Sequence, residues 1–206
     1  MRKRIPLLAA LAAVLVLTAA CAEPPEETAQ QAEQDLQAAR DADAATYAAE
    51  ELRDARLALE EAQQEIQAQN ERFAIMRDYE EAEKKLAGSM EKAHLARETA
   101  VENKEAARMA AVAGLELARQ AIEEATTALA DAPRGKGTRA DISALTADLD
   151  GVRAEVPALE SQLEDEGYFA ARDKAAAMAE SALAIAEEIK AAVEMEARIL
   201  AKRRNR

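Results

Sequence analysis

The sequence predicts an all-α protein: an elongated antiparallel helical bundle or coiled coil, built of two three-helix units that share one long helix. Three observations predict it. Alanine, glutamate, leucine, lysine, arginine and glutamine dominate, 33% of residues are charged, 2% are aromatic and tryptophan is absent; this is the composition of long helices. β-branched and aromatic residues are too scarce for a sheet-based core. Apolar residues recur in steps of three and four along most of the chain, which is the period of a helical seam. That periodicity separates the chain from acidic, aromatic-poor sequences that stay unfolded.

The first segment stands apart from the bundle. Arg2, Lys3 and Arg4 make a basic start, Leu7 to Leu17 form an uncharged apolar run, and Thr18-Ala19-Ala20 follow with small residues. This is the layout of a secretory signal peptide over residues 1–20. The apolar run falls short of the roughly 20 residues that span a bilayer. Cys21, the only cysteine, comes next. The arrangement resembles the lipobox of bacterial lipoproteins. That resemblance implies that the Cys21 thiol is diacylated and the signal removed ahead of it. A thioether to lipid accounts for a lone thiol in a secreted chain; the other reading is an ordinary cleaved signal with an incidental cysteine. Multiple acyl chains, at about 0.8 kcal/mol per buried CH₂, make a stable anchor. Residues 21–28, with Pro24-Pro25 and three glutamates, read as a lipidated tether.

Residues 29–105 form the first expected helical unit. A helix from about Glu27 to Arg40 is followed by a weak turn signal at Asp41-Ala42-Asp43-Ala44. The second helix, from about Thr46 to Gln69, carries the seam Leu52, Ala55, Leu59, Ala62, Ile66. Gln69-Asn70-Glu71-Arg72 breaks that pattern. Asp78 is placed to cap the long helix, which runs to Ala132 without a proline. Its first half carries Tyr79, Ala82, Leu86, Met90 and Ala93, and its second half Ala111, Leu115, Ala118, Ile122, Ala125 and Leu129. Between the halves, Asn103 and Lys104 stand where apolar residues would be expected.

Residues 106–206 form the second unit. Ala132-Pro133-Arg134-Gly135-Lys136-Gly137 is the clearest loop of the chain. Thr138 or Asp141 can cap the next helix, whose seam is Ile142, Leu145, Leu149, Val152, Val156, Leu159, Leu163. Pro157 lies within that seam and should kink the helix one turn upstream; Gly167 should end it. A last helix from about Phe169 carries Met178, Ala182, Ile185 and Ile189, then reaches Lys202-Arg203-Arg204-Asn205-Arg206. Cations there suit the negative end of the helix dipole, a simpler role than a binding patch.

The two units look alike. Leu52, Ala55, Leu59, Ala62 and Ile66 fall against Leu149, Val152, Val156, Leu159 and Leu163, 97 positions apart. Phe73 then answers to Phe169, and Arg77-Asp78 to Arg172-Asp173. Alanine-rich heptads align readily with one another, so the aromatic residue and the Arg-Asp pair carry the repeat. Within Asp41 to Ala100, Tyr47-Ala48, Leu52, the spaced alanines and Asp78-Tyr79-x-x-Ala82 resemble an uncharacterised alanine-rich helical domain of bacterial envelope lipoproteins, here in two tandem copies. In some members that domain precedes an OmpA-like peptidoglycan-binding domain, which does not follow here. The resemblance implies a helical fold and an envelope location.

The chemistry points away from catalysis. His94, the only histidine, sits mid-helix among Lys92, Arg97 and Glu98, as a solvated helix-face residue would. Carboxylates occur with cations four residues on, as in Glu80 with Lys84 and Glu81 with Lys85, which supports exposed helices. No Cys/His cluster offers a zinc site, Asp148-Leu149-Asp150 lacks the calcium-loop spacing, and Gly135-x-Gly137 falls short of a phosphate loop. The expectation is therefore no enzyme, no cofactor, no metal and no catalytic residue. A net charge of −13, or −16 once Arg2, Lys3 and Arg4 are removed, repels nucleic acid and opposes broad adhesion to anionic lipid. The expected protein is a lipid-anchored scaffold or interaction module on the periplasmic face of the outer membrane. Ala22 stands where many inner-membrane lipoproteins carry aspartate. Its partners would be the membrane, through the anchor, and an envelope protein. The alternative is an accessory subunit of an envelope transport or efflux system, docking through a helical hairpin.

Overall fold

A computed structural model gives the fold and describes residues 22–132 and 139–204. The expected signal, Cys21, the proline-glycine loop from Pro133 to Thr138, and Asn205-Arg206 lie outside the described residues. Among the described residues there is no strand. The helices are α1 (Glu26–Asp41), α2 (Ala44–Tyr47), α3 (Ala49–Asn70), α4 (Glu80–Asp131), α5 (Arg139–Ala154), α6 (Val156–Glu164) and α7 (Tyr168–Arg204), with one 3₁₀ turn (Ala74–Met76) between α3 and α4. The fold is all-α, helix packed on helix. It divides into two compact units, with the division inside α4 between Asn103 and Lys104.

In the first unit, Ala32 and Leu36 of α1, Ala55, Leu59 and Ala62 of α3, and Leu86 and Ala93 of α4 form the core. Leu52, Ile66 and Met90 pack against it. Ser89 meets Ala55 while Asp78 meets Gln69, so α3 and α4 run antiparallel. Ser89 is fully buried and donates its hydroxyl to the Ala55 carbonyl at 3.1 Å; it takes a seam position where a small side chain keeps the two helices close.

The α1–α3 link is more elaborate than a single turn. Asp43 adopts a left-handed φ of 61°, a conformation aspartate tolerates better than most residues. One helical turn, α2, follows, and Ala48 at φ −149° breaks it from α3. The second helix thus begins at Ala49 rather than near Thr46. The break tucks Tyr47 into the unit and lets its carbonyl accept from the Asn103 amide at 2.7 Å. Asp78 accepts the Glu80 N–H at 3.0 Å, capping α4 as expected.

In the second unit, Ala121 and Ala125 of α4, Leu145 and Leu149 of α5, and Ala182, Ile185 and Ile189 of α7 form the core. Arg153 reaches Thr126, and Arg119 pairs with Glu160 at 2.6 Å, so α4 runs antiparallel to α5 and α6. Gly114 faces Ala175, where an added Cβ would lie 3.1 Å from the alanine methyl. That contact and the Lys190–Glu124 pair at 2.9 Å set α7 parallel to α4. The seam helix is interrupted just upstream of the proline. The helix stops at Ala154, and α6 begins with Pro157 in its first turn, where a missing N–H has no partner to lose.

The helix stops just ahead of Gly167, as expected. Glu166, not Gly167, takes the left-handed conformation, at φ 58°. Gly167 N–H bonds the Gln162 carbonyl at 2.8 Å and Glu166 N–H the Leu163 carbonyl at 3.2 Å, the paired bonds of a Schellman motif. A Cβ on residue 167 would sit 3.2 Å from the Gln162 oxygen, so the glycine serves close approach.

The seam of α4 changes phase after Asn103. Tyr79, Ala82, Leu86, Ser89, Ala93, Ala96 and Ala100 are buried before it, and Ala107, Ala111, Leu115, Ala118, Ala121 and Ala125 after it. Steps of three and four alternate as far as Asn103. Two steps of four then follow in succession, from Asn103 to Ala107 and from Ala107 to Ala111, before the alternation resumes through Gly114, Ala118 and Ala121. Such an insertion is a stutter. The polar residues at this point are used locally: Asn103 is tied to Tyr47 within the first unit, and Lys104 to Glu166 within the second at 2.6 Å.

Candidate interaction site

Burial gives the repeat a different register from the one expected. Tyr79, Ala82, Leu86, Ser89, Ala93, Ala96 and Ala100 correspond one by one with Tyr168, Ala171, Ala175, Met178, Ala182, Ile185 and Ile189, all buried. The spacing is 89 positions. The Arg-Asp pairs are not equivalent: Arg77-Asp78 precedes α4, whereas Arg172-Asp173 lies inside α7. Nor are the phenylalanines. Phe169 sits in the first turn of α7 with the Arg172 guanidinium 5.6 Å from its ring centre. The preceding seams stay 97 apart, so eight more residues separate the two seams in the first unit than in the second, and the connection between its helices is the longer one.

That extra length builds an apolar protrusion. Phe73 is 80% exposed, Ile75 83% and Met76 65%, all at one 3₁₀ turn. The turn is braced from below. Arg77 donates to the Asn70 carbonyl at 2.9 Å and to the Arg72 carbonyl at 3.1 Å. Gln69, buried at the end of α3, accepts the Asp78 N–H at 3.1 Å and donates to Glu65 at 2.8 Å. The Tyr79 hydroxyl donates to the Asn70 side chain. The Asn70 and Arg72 carbonyls and the Asp78 N–H are thereby satisfied while three large apolar side chains face water, at a cost of roughly 25 cal/mol for each Å² left uncovered. Contiguous apolar surface of this kind marks contact sites. In the sequence the signal is a Phe-Ala-Ile-Met run between a pattern break and a cap, off every seam, where it reads only as a repeat landmark.

The other residues of interest lie elsewhere. Cys21 and Gly135-x-Gly137 are outside the described residues. His94 is exposed, with Nε2 3.4 Å from Asp35 across α1 and α4. Glu80 pairs with Lys84 at 2.7 Å, and Asp150 with Arg153 at 3.0 Å. Hydrogen bonding to Arg108 holds Glu105 below the usual carboxylate range, and bonds to Glu124 and Glu187 push Lys190 up to about 12. Among the described residues no three His, Cys, Asp or Glu side chains are grouped to hold a metal, and no helix is long and apolar enough to cross a membrane. The chain matches no family model, no curated protein and no solved structure.

Proposed function

We propose that this chain is a lipid-anchored helical scaffold of the bacterial cell envelope, held on the periplasmic face of the outer membrane through an acylated Cys21, and that the Phe73–Met76 turn is its contact with an envelope protein. The signal-like start and the lone Cys21 support the anchor. The observation that carries the interaction role is the braced apolar turn, present in the longer connection of the first unit and replaced by a short Schellman turn in the second. A convex apolar knob at the head of a helical hairpin fits a concave apolar pocket on its partner. The same knob favours a second reading, an accessory subunit of an envelope transport or efflux system that docks through the α3–α4 hairpin.

Two measurements test this. Growth with labelled palmitate should label the wild type and leave Cys21→Ser unlabelled and outside the detergent phase. A soluble, unlabelled wild type sinks the anchor. A photocrosslinking residue at position 75 should capture a discrete envelope protein, and Phe73→Asp with Met76→Asp should abolish capture without loss of helix. A transport-system component in the crosslink selects the second reading. Equal crosslinking by the double variant removes the turn from the interaction.

A further inference from the structure

Helix α7 carries a second uncovered surface, of different chemistry. Ile185 and Ile189 are buried in the second core, and Val193 is the last α7 residue packed against it. Beyond Val193, Met195 is 64% exposed, Ile199 47% and Leu200 55%. At 3.6 residues per turn, about 100° per residue, Met195 and Ile199 share a face edged by Arg198, Lys202 and Arg203, while Leu200 falls on the side of Ile189 and Val193. From Ala197 to Arg206 the sequence holds five cations, Arg198, Lys202, Arg203, Arg204 and Arg206, and no acidic side chain. Glu194, bonded to Arg198 at 3.4 Å, and Glu196 lie just before this stretch.

The helix dipole explains cations in the last turn. It does not explain the isoleucine and methionine left in water among them. Apolar side chains interleaved with Lys and Arg on one helix are the two components of interfacial binding, burial at the acyl boundary and attraction to anionic headgroups. Long basic side chains can lie along the apolar surface and keep their charge at the phosphates. The net charge, −16 without Arg2, Lys3 and Arg4, opposes anionic surfaces only locally, because a Debye length of about 8 Å screens carboxylates farther along the chain. We infer that the end of α7, from Met195 to Arg204, binds the surface of an anionic lipid bilayer, with Met195 and Ile199 entering the acyl boundary and Arg198, Lys202 and Arg203 on the phosphates.

The inference is independent of the Cys21 anchor, and its test leaves that residue out. The chain from Ala22 to Arg206 keeps every described helix. It should float with vesicles of phosphatidylethanolamine and phosphatidylglycerol, not with phosphatidylcholine alone, and added salt should release it. Lys202→Gln, Arg203→Gln and Arg204→Gln together should lower partitioning on the order of 100-fold, about fivefold for each cation at an anionic surface. Met195→Asp with Ile199→Asp should lower it too. Circular dichroism should be unchanged in both variants, since the replaced side chains are exposed. Absence of flotation, equal flotation with neutral vesicles, or a triple variant that binds like the parent overturns the inference. Binding to polyglutamate without binding to anionic vesicles overturns it in favour of an acidic protein segment.

Discussion

Glycine in place of Glu166 would relieve a left-handed side chain. That conformation costs a non-glycine residue about 1–2 kcal/mol, while the exposed Lys104–Glu166 pair lost with it is worth about 0–1 kcal/mol. Glu166→Gly should therefore stabilise the second unit by roughly 1 kcal/mol, measured as a shift in the urea midpoint. The neighbouring change goes the other way. Gly167→Ala places a methyl 3.2 Å from the Gln162 oxygen and should cost about 1–3 kcal/mol, as overpacking does. A neutral Gly167→Ala would mean that the α6 end yields without strain. The sequence shows that a helix stops near residue 167, because glycine is the usual terminator. It does not show which of two adjacent residues turns left-handed, since that depends on where the chain passes the Gln162 carbonyl. Ser89 is hidden for a similar reason: serine reads as a surface residue until Ala55 is found opposite it.

At the scale of elements, heptad spacing makes the helices legible, and small local events move their ends. Leu145, Leu149 and Leu159 are buried as the seam requires, whereas Leu163, near the end of α6, is only partly covered. Leu149→Ala and Leu159→Ala should each cost about 2–5 kcal/mol, and Leu163→Ala less, by the same urea measurement. Lys190 shows how elements are tied at their surfaces. Its bonds to Glu124 on α4 and Glu187 on α7 raise it from 10.5 to about 12. A lysine raised by folding stabilises the folded state fully below its ordinary value and loses that contribution as the pH climbs through the raised one. The melting-temperature difference between wild type and Lys190→Met should thus hold at neutral pH and vanish as the pH rises from about 10.5 to about 12. Being exposed, the pair should also weaken with salt. A difference that persists above that range would mean Lys190 acts through its methylene chain.

For the molecule as a whole, composition decides the all-α class, because so few aromatic and β-branched residues leave no other way to build a core. The apolar turn at Phe73–Met76 is not legible in the sequence, since exposure follows from the extra connection length and only the structure supplies the correct repeat register. The three tyrosines, Tyr47, Tyr79 and Tyr168, are all buried in a chain without tryptophan. Two belong to the first unit and one to the second, so intrinsic fluorescence can be assigned unit by unit. With Tyr168→Phe the emission reports on the first unit; with Tyr47→Phe and Tyr79→Phe it reports on the second. The second core holds Leu145, Leu149, Ile185 and Ile189, where the first has Leu36, Leu59 and Leu86 among its alanines, so more apolar area is removed from water in the second. Tyr168 emission should change at the higher urea concentration, and a coincident change at all three fluorophores would show that the chain melts as one block.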